Sequence, residues 1–91
     1  MRIVFKKEFV TKLSEQLDYI AQDSTTRANS FKVELLQKLK ILTSFPYSCR
    51  KSIYFDDNCI RDFTFKGYTI VYRINKNQIE VFGLVKFQEG P

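Results

Sequence analysis

The feature that most constrains this chain is a single change of hydrophobic period near its middle. Between Lys7 and Ser44 the large apolar residues recur every three or four positions, and from Lys51 onward they recur every second position. These are the repeats of a helix face and of a strand face, so helices come first and a sheet follows.

In the first half, Phe9, Leu13, Leu17 and Ile20 make one stripe, widened by Val10, with Glu8 and Lys12 as an exposed i,i+4 pair. The spacing predicts a helix over 7–22. Asp23-Ser24-Thr25-Thr26 breaks it and offers several N-cap oxygens for a second helix. That helix carries Ala28, Phe31, Leu35, Leu39 and Leu42 on one stripe and is expected over 26–44, halted by Pro46, which disfavours helical geometry in Phe45. The short link predicts an antiparallel helical hairpin.

In the second half, Ser52–Phe55, Cys59–Phe65, Tyr68–Ile74 and Gln78–Phe87 read as strands, separated by turns at 56–58, 66–67 and 75–77. Together they predict a four-stranded antiparallel meander, with Arg2–Phe5 as a short opening strand at an edge. A two-residue turn at Lys66-Gly67 sets Phe65 against Tyr68, Phe63 against Ile70 and Arg61 against Tyr72. A second one at Lys76-Asn77 sets Arg73 against Glu80 and Tyr72 against Val81. A three-residue turn at 56–58 places Cys59 across from Phe55 and leaves Cys49 far along the hairpin, which disfavours a Cys49–Cys59 disulfide. The fold class expected is α+β, in one domain spanning 1–91.

Nine Phe and five Tyr supply large side chains for one modest core. The net charge of +5 is unevenly placed. Between Arg27 and Lys51 stand six bases (Arg27, Lys32, Lys38, Lys40, Arg50, Lys51) and one acid, Glu34, whereas the rest of the chain is balanced. Such asymmetry favours an anionic partner. No apolar run reaches the roughly 18–20 residues of a membrane span, and charges interrupt residues 1–20, so a cytoplasmic protein with reduced cysteines and no membrane partner is expected.

The chain has no His and two Cys, which excludes Ser-His-Asp and Cys-His catalysis and leaves no donor set for a structural zinc. No metal and no cofactor are expected. No glycine-rich phosphate loop is present either. What remains is Arg and Lys beside Tyr, groups that can bind phosphate or stabilise a phosphorane-like transition state electrostatically. The candidates are Arg50, Lys51, Arg61, Arg73 and Lys86, with Arg50, Arg61 and Lys86 the possible catalytic set. Arg50 and Arg61 are expected near one cleft. Arg73 can instead pair with Glu80 or Asp62, Arg61 can cover aromatics with its stem, and Lys86 can simply protect a strand edge.

The order of elements and the residues on them resemble the RelE/ParE family of bacterial toxins from type II toxin–antitoxin systems. The matching pieces are Leu17–Ser24 at the hairpin, Ala28 and Phe31 on the second helix, and the Leu-rich run to Pro46. Cys49-Arg50, Arg61, Gly67–Ile74 and Ile79-Glu80-Val81 follow in family order. The resemblance implies a growth-inhibiting toxin neutralised by a cognate antitoxin. Its ribonuclease branch cuts messenger RNA in the ribosome and typically carries Arg where Thr69 stands here; it often ends in a Tyr that is missing. The hairpin looks more like the ParE branch, which poisons DNA gyrase, although that branch's His-x-x-Arg ending is absent. The resemblance thus favours a gyrase target, with a ribosome-dependent endonuclease using Arg50, Arg61 and Lys86 as the alternative. A non-catalytic nucleic-acid-binding module is a third reading, resting on charge alone.

Overall fold

The computed structural model describes residues 1–86, so the expected end of the last strand at Phe87 and the short tail after it lie outside the described residues. The chain runs β1 (Arg2–Phe5), α1 (Lys7–Asp23), α2 (Thr25–Leu42), β2 (Arg50–Lys51), β3 (Ile60–Phe65), β4 (Tyr68–Asn75) and β5 (Gln78–Lys86). No helix among the described residues is long and apolar enough to cross a membrane.

The hairpin follows the expected stripes. Ser24 alone joins the helices. Its backbone N–H bonds Ile20 O and its hydroxyl accepts the Arg27 N–H at 3.1 Å, so one residue ends α1 and caps α2. The second helix stops at Leu42, two residues short of expectation. Ser44 and Phe45 donate to carbonyls three residues back, a tightened last turn that leads into Pro46.

The sheet order is β1-β5-β4-β3-β2. The opening strand lies at an edge, as expected, but runs parallel to β5, with Arg2 opposite Gln78 and Phe5 opposite Val81. The sheet therefore has five strands and is mixed rather than antiparallel throughout. A four-residue apolar segment carries no information about direction, which docking decides.

Both two-residue turns fall where expected. Lys66 and Gly67 have φ of 48° and 83°, the left-handed pair that matches strand twist in a tight hairpin. Arg61 faces Tyr72 and Arg73 faces Glu80. A β-bulge follows, since Tyr72 opposes Val81 and Val71 opposes Gly83, with Phe82 left over.

The first meander strand differs from expectation. Ser52–Phe55 is not a strand; β2 is Arg50–Lys51, paired with Asp62 and Arg61. The turn is correspondingly longer, and Cys59 aligns with Ile74 rather than with Phe55, its carbonyl oxygen accepting the Ile74 N–H at 2.8 Å. The reason is local competition for backbone donors. Asp62 Oδ2 takes the Ile53 N–H, Ser52 Oγ takes the Tyr54 N–H, and Asp57 Oδ1 takes the Cys59 N–H. The loop instead folds over the sheet, where Phe55 packs edge-on against Phe82 at 5.5 Å. Cys49 and Cys59 are both free.

The core lies between the hairpin and one sheet face. Phe9, Leu35, Leu39, Ile70, Tyr72, Ile79 and Val81 are essentially inaccessible to water. Phe31 meets Phe65 and Tyr68 edge-on, each at 5.2 Å. The opposite face carries Asp62, Thr69, Val71 and Glu80, partly covered by the loop after β2.

Candidate functional site: a cationic rim at the β2–β3 edge

Pleating decides where the candidate cations go. Directly opposed residues share a face, so Arg50 projects with Asp62 to the loop-covered side, while Lys51 projects with Arg61 and Tyr72 to the helix side. Arg50 and Arg61 are close in the sheet but emerge from its two faces. The single cleft expected for them does not form.

Arg61 is heavily committed. Its Nε donates to Asn58 O at 3.0 Å, Nη2 to Asn58 Oδ1 at 3.1 Å and Nη1 to Cys49 O at 3.0 Å, with the guanidinium 5.0 Å from the Tyr47 ring centroid. It knits the loops on either side of β2 together. Lys51, exposed, stands opposite it, and like charges directly across a strand pair are unfavourable without an anion between them. That pair is what the helix-side rim offers a ligand.

Arg50 Nη2 lies 3.5 Å from Asp62 Oδ2 and remains half-exposed. Asp62 is fully buried, and its Oδ1 has no hydrogen-bond partner among the described residues. Breaking such a pair from one side leaves a buried charge poorly compensated. Arg50 therefore holds Asp62 as well as facing solvent.

Beneath the rim, Tyr72 donates its hydroxyl to Pro46 O at 2.6 Å. Burial and the neighbouring Cys49 side chain push its ionisation well above the usual tyrosine range, against the opposing pull of Arg61. Tyr72 is a fixed donor that ties the Pro46 loop to the sheet, not a general base.

The other two candidates lie elsewhere. Arg73 meets Glu80 at 2.9 Å, and Gln78 and Lys6 also approach that carboxylate. Burial alone raises the Glu80 pKa, but the hydrogen bonds from Arg73 and Gln78 and the charges of Arg73 and Lys6 outweigh it, holding the carboxyl below the ordinary range. Lys86 sits over the Tyr19 ring at 5.0 Å. In register Lys86 pairs with Tyr68 and Arg61 with Tyr72, a separation of roughly 13 Å along the strands and about 10 Å across them. Core side chains fill the space between.

Reading the residues singly missed Arg27, Tyr54 and Lys66. Arg27 and Lys66 border one hollow of about 330 Å³, and Arg50, Tyr54 and Lys66 border another of about 570 Å³. The available signal was Lys66 itself, a lysine in a left-handed turn position where Asn or Gly is more usual.

A helical hairpin closed on a five-stranded sheet, with cations around a short edge strand and no histidine, agrees in element order with what the RelE/ParE resemblance implied. Residues 3–87 match the family described as ParE toxin of type II toxin-antitoxin system, parDE, and the chain belongs to that family. No curated protein matches it.

Proposed function

We propose that this chain arrests growth in the cytoplasm by acting on DNA gyrase and is neutralised by a cognate antitoxin. The observation that carries the gyrase reading over ribosome-dependent cleavage of messenger RNA is the dispersal of Arg50, Arg61 and Lys86 over two faces and both ends of the sheet. Metal-free, histidine-free cleavage needs several cations gathered on one phosphate. Thr69, where the ribonuclease branch carries Arg, is buried on the loop-covered face and adds no cation there.

Induced expression without antitoxin tests the proposal. Growth should stop, with an SOS response and gyrase trapped on DNA. Ribosome-dependent cuts within codons, mapped by primer extension, would replace gyrase with messenger RNA as the target. Normal growth at confirmed high protein levels would remove the toxic activity altogether.

A further inference from the structure

The two hollows beside the β3–β4 turn are neighbours, because Lys66 and Tyr68 line both. The first opens at the start of α2 with Thr26, Arg27 and Ser30; the second opens on the loop-covered side with Arg50, Tyr54 and Thr64. A path from Arg27 over Lys66 to Arg50 thus passes from the helix side around the turn to the other face. Neither lining contains a carboxylate among the described residues. Glu34 reaches Lys66 from outside at 2.7 Å, but both partners are about half exposed, and such a pair is weakly held.

We propose that this path is a binding track for single-stranded nucleic acid, with Arg27, Lys66 and Arg50 on successive phosphates and Tyr54 stacking a base. The chemistry of the lining favours a phosphodiester chain. Its charge recurs on every unit and so can meet all three cations, and the exposed hydroxyls of Thr26, Ser30 and Thr64 add donors for phosphate oxygens. The Tyr54 ring is about half exposed at the Arg50 end, where a base on the same strand can reach it. The bend of the track selects a flexible strand, since duplex DNA is stiff over such short lengths. This inference does not rest on gyrase. A chain that leaves gyrase untouched in cells still binds through these residues, so the two readings fail separately.

The test is fluorescence anisotropy of the full chain with a labelled single-stranded DNA oligonucleotide, titrated across NaCl concentrations. Arg27→Gln combined with Lys66→Asn keeps Asp62 paired and the turn tolerant, so the fold is retained, which circular dichroism checks. This pair should weaken binding about tenfold at low salt and reduce the log–log salt slope by about 1.4, from about 0.7 per lost phosphate contact. Lys7→Gln with Lys12→Gln removes the same charge from α1 and should change affinity less than about twofold. Glu34→Gln, by freeing Lys66, should tighten binding, and Tyr54→Ala should weaken it at least about fivefold with the slope unchanged. The proposal is overturned if the α1 pair weakens binding as much as the track pair, if no binding is detected at low salt, or if the matching duplex binds more tightly. It is overturned in favour of an acidic protein partner if a polyglutamate peptide displaces the oligonucleotide and binds the track more strongly.

Discussion

Single side chains in this protein divide by what their charges touch. Arg73 and Glu80 form a closed pair, whereas Lys51 and Arg61 are two cations left opposite each other. Glu80 makes the pairing measurable. Its carboxyl titrates lower in the folded chain than in the unfolded one, so it adds stability above the ordinary glutamate value of about 4.3, and that stability is lost as pH falls through the folded value. Glu80→Gln should therefore lower the melting temperature at neutral pH, and the gap to the parent should close as pH drops toward 3. A gap of constant size across that range would show that Glu80 contributes through shape rather than charge. The Arg73–Glu80 pair was legible in sequence because a two-residue turn fixes what faces what. The Arg50–Asp62 pair was not, because it depends on where β2 begins, and that depends on Ser52, Asp57 and Asp62 taking donors from the loop.

At the scale of elements, helices and hairpins follow local rules and the bulge does not. The stripe from Ala28 to Leu42 and the turn at Lys66-Gly67 are contained within a few neighbouring residues, so periodicity and turn chemistry suffice to place them. The bulge between β4 and β5 instead answers a packing problem. A Cβ on Gly83 would stand 3.0 Å from Val71 Cβ and 3.2 Å from its Cγ2, and Val71 is itself buried. Gly83→Ala should cost about 1–3 kcal/mol by overpacking, read from the denaturation midpoint. Most of that cost should vanish when Val71→Gly is combined with it, because both the Cβ at 3.0 Å and the Cγ2 at 3.2 Å are then gone, whereas Val71→Ala, which keeps the Cβ, should relieve only part of it. An equal cost in every background would mean that Gly83 is needed for its backbone and not for close approach.

For the whole molecule, one core carries everything. Leu35 and Leu39 are fully buried between the hairpin and the sheet. Leu35→Ala should destabilise the fold by about 2–5 kcal/mol, a large part of the roughly 5–15 kcal/mol available to a domain. Growth arrest by this variant should fall in step with its folded fraction, measured by thermal melting, and recover at lower temperature; arrest lost from a fully folded variant would place Leu35 at the target instead. The sequence by itself determined the α+β order, the helical stripes, both tight turns and the family, since each rests on spacing within a short stretch or on the succession of such stretches. Only the tertiary structure decided that β1 runs parallel to β5, that Arg50 and Arg61 leave by opposite faces, and that Lys66 lines both the hollow beside Arg27 and the one beside Arg50. Direction, face and neighbourhood between residues dozens of positions apart are set by how the hairpin docks on the sheet, and local periodicity carries no record of that docking.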